Sequence, residues 1–356
     1  MTNCDVKEAG GELNVTPFRT IQIHPTRKCN LTCLHCYSNS SPDNREMLDI
    51  ESLKRFLTYA FDDGFNNISV SGGEPFLYNE LEELFKFTQS LGYQNTMASN
   101  GMLLASEKNK RILQYVDLIA ISVDGKPELH DHIRGQKGAF EKMLTGVSVL
   151  QTLQKPFGFI HTVTPQSWDS LLWLGEFASQ KGAKLLQLHP LEMHGRALEK
   201  LSDKIVDDTL AHQAFILANY LRSKYGDKMV VQVDLLHRDY LETFPQTVNT
   251  FERACAKNGH LSTLFDTIII EETGRILPVA YGFDPRFVIG NVHDFHRELF
   301  EDFINEKVPE IKSIFYRTMN RILNNKEIDI VNWNELLVDE SKSPSIATHS
   351  PRPISQ

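Results

Sequence analysis

Between residues 18 and 190, short apolar runs alternate with amphipathic segments of helical period, and this alternation restricts the fold more than any other feature. Strands are predicted at Phe18–Ile23, Asn67–Ser71, Tyr93–Ala98, Asp117–Val123, Phe157–Val163 and Lys184–His189. The segments between them carry apolar residues at helical spacing. In Asp49–Asp63 these are Ile50, Leu53, Phe56, Leu57, Ala60 and Phe61, with Gly64 as a stop. Glu80–Leu91 ends at Gly92 in the same way, and further helices are expected near Ser106–Tyr115, Ala139–Leu153 and Trp168–Lys181. Strand and helix in strict alternation give βαβ units, so the fold class is α/β with a parallel sheet. Polar clusters fall where strands end, the edge on which such sheets build their sites.

The loop after the first strand reads His24-Pro-Thr-Arg-Lys-Cys-Asn-Leu-Thr-Cys-Leu-His-Cys36, placing Cys29, Cys33 and Cys36 in a C-x3-C-x2-C array. Three thiolates on one short loop can hold three corners of an iron–sulfur cubane, because soft sulfur ligands suit iron. The fourth iron would stay open to a ligand. A structural zinc site is the alternative, but it wants four ligands, usually in C-x2-4-C pairs. His35, the one extra donor, sits between two of the cysteines. A disulfide does not account for three cysteines, and Met1–Asn14 lacks the apolar core of a signal peptide.

With 356 residues the chain can bury a large core and suggests about two domains. A net charge of −9 argues against a nucleic-acid binder, and no run approaches the ~18 apolar residues of a membrane span. Five cysteines, three of them clustered, fit a reducing cytoplasm.

The cysteine spacing resembles the signature of radical S-adenosylmethionine (radical SAM) enzymes, with His35 in the slot usually held by an aromatic. The order of the motifs that follow strengthens the resemblance. Ser71-Gly72-Gly73-Glu74-Pro75 after the second strand is similar to the family's GGEP motif, which grips the methionine amino group. Two glycines would let the backbone come close to a ligand, and the Glu74 carboxylate could accept from its ammonium. Asn100 follows the third strand, where the family contacts the ribose. Ser122, ending the fourth strand, and Arg134, in His130-Asp131-His132-Ile133-Arg134, match positions that bind the co-substrate in the peptide-modifying branch. Arg134 would pair with the carboxylate. Leu191 matches a position that packs on the adenine, and is equally compatible with ordinary core. The resemblance implies a partial (β/α)6 TIM-like barrel over residues 18–195, after a leader segment of residues 1–17. It also implies one [4Fe–4S] cluster on Cys29, Cys33 and Cys36, S-adenosylmethionine as co-substrate, and hydrogen-atom abstraction from a substrate.

Past Gly195-Arg196-Ala197 the alternation stops. A helix is expected at Ser202–Lys224, a strand at Met229–Leu235, a hairpin from Thr267–Glu271 and Arg275–Val279, and helices at Phe295–Asn305 and Pro309–Leu323. Residues 196–335 resemble the α+β SPASM or "twitch" extension of peptide-modifying radical SAM enzymes, and residues 336–356 are expected to be a disordered tail. Cys255 stands where the extension's first cysteine would be, but Val279 occupies the cysteine slot of its G-x4-C element. One remaining thiol cannot hold an auxiliary cluster. Cys255 is then either a buried small hydrophobe or a donor of a hydrogen atom to a substrate radical, as in radical SAM peptide epimerases. His130, His132, His189 and His194 are expected to be structural, with His194 near the mouth of the site.

The implied function is modification of a peptide, a ribosomally made precursor, by cross-linking, cyclophane or ether formation, or epimerisation. The alternative is a small-molecule enzyme of haem or cofactor maturation, and a non-catalytic metal protein is the reading from another class. Expected partners are the peptide, a discrete leader-recognition protein and a reductase or flavodoxin-type electron donor, with no nucleic acid and no membrane.

Overall fold

The computed structural model describes residues 18–204, 206–253 and 259–344. Its strands are β1 (Thr20–Ile23), β2 (Asn67–Val70), β3 (Gln94–Ser99), β4 (Leu118–Ser122), β5 (Phe157–Val163) and β6 (Leu185–Pro190). Then come β7 (Val230–Val233), β8 (Leu236–His237), β9 (Thr267–Ile270), β10 (Arg275–Pro278), β11 (Gly290–Asn291) and β12 (Ile330–Val331). The helices between the early strands are α1 (Ile50–Asp63), α2 (Leu81–Leu91), α3 (Glu107–Ile112), α4 (Pro127–Arg134), α5 (Ala139–Thr152) and α6 (Leu171–Lys181). Beyond β6 lie α7 (Arg196–Lys200) and α8 (Asp208–Tyr225).

All six expected strands pair in parallel and in sequence order, from β1 to β6. The sheet then grows at both edges. β7 adds a parallel strand beside β6, and β9 lies parallel to β1 with Thr20 opposite Thr267. The β9–β10 hairpin and β11 complete a ten-stranded order, β11-β10-β9-β1-β2-β3-β4-β5-β6-β7. The second half is therefore joined to the first through backbone hydrogen bonds along β1. Asp266 fastens this seam, pairing with Arg19 before β1 and with Arg253, whose Nη2 lies 2.7 Å away.

Strand alternation divides the sheet into two faces. Ile21, Ile23, Ile68, Val70, Met97, Ile119, Ile121, Phe159, Leu186 and Leu188 are buried in one core with Leu53, Phe56, Leu84, Phe85, Val147 and Leu174 of the helices. Burying each such side chain contributes about 1.5–3 kcal/mol. The opposite face is half-buried and bears mostly small or polar residues, among them Gln22, Ser69, Thr96, Ala98, Ser122, Thr162, Gln187 and His189. A sheet that is apolar on one side and polar on the other packs its helices on the first and has no second core to pack on the other. α1 follows its sequence signals: Asp49 caps it by accepting from Ser52 N at 2.7 Å, and Gly64 closes it.

Three expectations change. The helix predicted at Ser202–Lys224 is α8, which starts only at Asp208 behind its cap Asp207, and the short helix α7 precedes it where none was expected. Arg134 ends a short helix, α4, that apolar periodicity did not reveal; Pro127 at its first turn and Gly135 at its end define it. A helix at Trp333–Ser341 buries Trp333, Leu337 and Val338, so ordered structure runs past residue 336, where the tail was expected to begin. Cys255 lies outside the described residues. Among the described residues no helix is long and apolar enough to cross a membrane.

Candidate active site

The cysteine loop leaves β1 and is held from several directions by its own backbone. Cys29 N donates to Ser41 O (3.0 Å), and Leu34 N donates to Ile133 O of α4 (2.9 Å). Arg196, at the start of α7, is the principal clamp. Its backbone N–H meets Cys36 O at 2.8 Å, while its guanidinium donates to Cys33 O and Ser40 O, both at 2.8 Å. Charge-assisted bonds to loop carbonyls fix the direction in which the cysteine side chains leave the loop.

The Gly-Gly turn after β2 packs against the same loop. Gly73 N donates to Thr26 O and Glu74 N to Lys28 O, both at 2.9 Å. A Cβ on Gly73 would sit 2.3 Å from Lys28 O, so the close approach expected toward a ligand is made here to the chain's own backbone. Glu74 is 1% exposed, and its carboxylate accepts from Ser99 Oγ (2.9 Å) and Asn100 N (3.0 Å). Burial pushes its pKa up to about 7, against those hydrogen bonds, which favour the ionised form. Asn100 Nδ2 in turn donates to Asn30 Oδ1 (2.8 Å), next to Cys29. Glu74 and Asn100 thus brace the cysteine loop through the ends of β2 and β3.

On the other side of the loop stands a charge cluster. Asp124, in the turn after β4, is fully buried. Its Oδ1 lies 3.1 Å from His35 Nε2 and its Oδ2 2.5 Å from Arg134 Nε. Arg134 Nη1 donates to Cys33 Sγ at 3.6 Å. Burial raises the Asp124 pKa, but Arg134 and His35 outweigh it and hold the carboxyl well below its ordinary range. His130 accepts from Asp124 N (3.2 Å), and His161 lies against Val123 O (2.8 Å) with its Nε2 unpartnered. Ser122 ends β4, two residues before this carboxylate.

The remaining predicted positions lie around this centre. Leu191 is buried in a small cluster with Ala197 and Leu201, against Leu34 of the cysteine loop. His189 pairs with Asp234, and His194 faces the Gly282 turn. No motif pointed to Tyr37, whose hydroxyl lies 3.3 Å from both His24 and Ser71 and whose ring meets Tyr281 at 5.0 Å.

Cys29, Cys33 and Cys36 are free thiols that bear on one another electrostatically. Burial, then Glu74, pushes Cys29 up to about 12, and burial raises Cys33 against the pull of Arg134. Thiols kept neutral by burial become ligands only when a cationic centre replaces their protons. Among the described residues no three His, Cys, Asp or Glu side chains are grouped to hold a single metal ion. The donor set fits a sulfur-ligated cluster: three soft donors on one rigid loop, with an arginine donating to one sulfur.

Residues 23–178 match the radical SAM superfamily. The chain carries a radical SAM domain. Members of this superfamily use a [4Fe–4S] cluster and S-adenosylmethionine. The antilisterial bacteriocin subtilosin biosynthesis protein AlbA of Bacillus subtilis is 25% identical over 283 residues, covering 77% of this chain and 58% of AlbA. An AdoMet-dependent heme synthase of Methanosarcina barkeri is 32% identical over 191 residues, 52% of this chain and 54% of the synthase. In fold the chain is similar to Streptococcus suis SuiB bound to its precursor peptide SuiA, with TM-score 0.64 and 17% identity, covering 84% of this chain and 68% of SuiB. The chain spans somewhat over half the length of these curated relatives. The radical SAM domain ends near the close of α6, so β6, Leu191 and the Arg196 clamp lie beyond the matched residues.

Proposed function

We propose that this chain is a peptide-modifying radical SAM enzyme, with residues 18–195 as its catalytic barrel and residues 196–335 as a SPASM-like extension that lacks an auxiliary cluster. The observation that supports the reading is the placement of Cys29, Cys33 and Cys36 on one braced loop, with Arg134 donating to Cys33 Sγ and the Glu74–Asn100 brace alongside. When bound, the cluster supplies the electron that cleaves S-adenosylmethionine, and the 5′-deoxyadenosyl group so released takes a hydrogen atom from the substrate.

The chain's own residues supply position and charge. Cys29, Cys33 and Cys36 hold the cluster, and Arg196 keeps their loop closed by occupying the Cys33 and Ser40 carbonyls. Gly72, Gly73 and Glu74 present the end of β2 to the amino group of the co-substrate, Asn100 borders its ribose, Leu191 borders its adenine, and His35 lines the site from the cysteine loop. Arg134 meets its carboxylate, with Nε paired to Asp124 and Nη1 donating to Cys33 Sγ so that the guanidinium stays beside the cysteine loop. The half-buried sheet face of small and polar residues receives the substrate.

A peptide substrate is supported by AlbA, a bacteriocin biosynthesis protein, and by the likeness to SuiB, solved with a precursor peptide. A second reading, a haem-forming or related small-molecule enzyme, is favoured by the higher identity to the heme synthase over a shorter stretch. In the peptide reading Cys255 is a candidate hydrogen-atom donor, a flavodoxin-type reductase delivers the electron, and a discrete protein recognises the leader. Anaerobic co-expression with a short precursor encoded beside this chain, followed by mass spectrometry, tests the peptide reading. Loss of two hydrogens indicates a cross-link, and deuterium uptake from heavy water without other change indicates epimerisation. Modification of a porphyrin with no change in any peptide contradicts it.

A further inference from the structure

We propose that Asp124 is a positioning residue that presets two side chains of the co-substrate site, His35 and Arg134. This inference rests on the radical SAM reading above and goes beyond its usual ligands. Asp124 is a fully buried carboxylate between two side chains of different assignment. One oxygen faces His35, of the cysteine loop, and the other faces Arg134, the side chain assigned above to the co-substrate carboxylate. These two side chains come from separate elements, the cysteine loop and the last residue of α4.

A buried anion is costly unless it is paired, and Asp124 is paired on both sides. Arg134 is also buried, at 8% exposure, and its carboxylate partner is Asp124. Without that partner a buried guanidinium would turn toward whichever acceptor remained, including the cluster-bearing Cys33 sulfur. With it, Nε lies 2.5 Å from an Asp124 oxygen and Nη1 donates to Cys33 Sγ, so the guanidinium is held between the carboxylate and the cysteine loop. The backbone amide of Asp124 is itself tied to His130, so the carboxylate cannot drift. Asp124 touches neither the thiols nor the space beyond Arg134. It acts through its two neighbours, orienting one and neutralising the other.

The test uses the anaerobically reconstituted holoenzyme and the variants Asp124→Asn, His35→Phe, Arg134→Gln and the double variant Asp124→Asn/Arg134→Gln. Each is assayed for iron and sulfide content, for S-adenosylmethionine affinity by equilibrium dialysis, and for the cluster midpoint potential by EPR-monitored titration. Asp124→Asn is expected to retain iron and sulfide while its affinity falls about 10- to 100-fold, the usual reach of a group that orients a ligand. Its midpoint rises, because losing the anion leaves Arg134 uncompensated beside Cys33 and favours the reduced cluster. In the Arg134→Gln background the same substitution is expected to have a much smaller effect, since the residue it acts through is gone.

An affinity for Asp124→Asn within about twofold of wild type overturns the proposal, as does an effect undiminished in the Arg134→Gln background. Should Asp124→Asn fail to fold, His35→Phe carries the test. It keeps the ring and the carboxylate, removes their contact, and is expected to weaken binding; unchanged affinity overturns the proposal. Failure of the radical SAM reading would be visible in the wild-type protein, as absence of cluster or of co-substrate binding. Failure of the positioning role alone appears only in the variants.

Discussion

Adding one methyl group at Gly73 should loosen the cysteine loop. The added Cβ would lie 2.3 Å from Lys28 O and 2.9 Å from the carbonyl carbons of Arg27 and Lys28, about 1 Å short of ordinary contact. Those atoms are backbone, so no side chain can swing away. The two segments must part, breaking Gly73 N to Thr26 O and Glu74 N to Lys28 O. Two hydrogen bonds at about 1 kcal/mol each and about 1–3 kcal/mol of overpacking sum to about 3–5 kcal/mol. An unfolding entropy of ~2.1 cal/mol/K per residue over 356 residues converts this to a fall of about 4–7 °C in Tm. Gly138→Ala is the control: its φ of +78° carries a left-handed penalty of about 1–2 kcal/mol, but nothing lies within 4 Å of the new methyl. Differential scanning calorimetry and iron content after reconstitution are the assays. Gly73→Ala should melt below Gly138→Ala and take up less iron. A Tm within about 1 °C of wild type with full iron content would refute the close approach and the bracing derived from it.

Glu74 has a folded pKa near 7, above its unfolded value of 4.5, so folding takes up a proton between these values. Its contribution is fully present below pH 4.5 and is lost as pH rises through 7; the difference corresponds to roughly 3 kcal/mol. Urea unfolding from pH 5 to 8 should show this slope in wild type and lose it in Glu74→Gln. Arg196→Ala uncovers the Cys33 and Ser40 carbonyls and should speed iron loss to a chelator by about 10- to 100-fold without loss of helical circular dichroism. Replacing Cys29, Cys33 or Cys36 singly by Ala should abolish iron uptake while the apoprotein still folds, read by circular dichroism, because none of the three carries a disulfide. Asn100→Ala removes the donor to Asn30 and should lower stability by about 1 kcal/mol, measured by urea titration.

The strands β1 to β6 were legible because each is a short apolar run closed by turn residues, and a parallel sheet with crossover helices writes its order along the chain. The cysteine loop was legible from spacing alone. The pairing of β9 with β1 was not, since nothing local specifies which edge a strand 247 residues away will join. Asp124 escaped notice for a related reason. Beside Gly125 it reads as turn chemistry, and its importance comes from His35 and Arg134, brought to it by folding. Arg196 stood out only as part of the stretch where the alternation stops, and only the path of the loop places the Cys33 carbonyl in front of it. α4 is too short and too polar to show an apolar face in sequence, yet it carries Arg134 into the site. Gly72 and Gly73 were recognised, but the backbone they accommodate is their own chain's.

The central claim is a cluster held by Cys29, Cys33 and Cys36 with one iron left for the co-substrate. Electron–nuclear double resonance of the reduced, reconstituted protein with S-adenosylmethionine labelled with nitrogen-15 at its amino group measures this directly. The account predicts about four iron and four sulfide ions per chain and a resolved coupling between the label and the cluster. Zinc in place of iron, or a cluster with no coupling to the bound label, would contradict it.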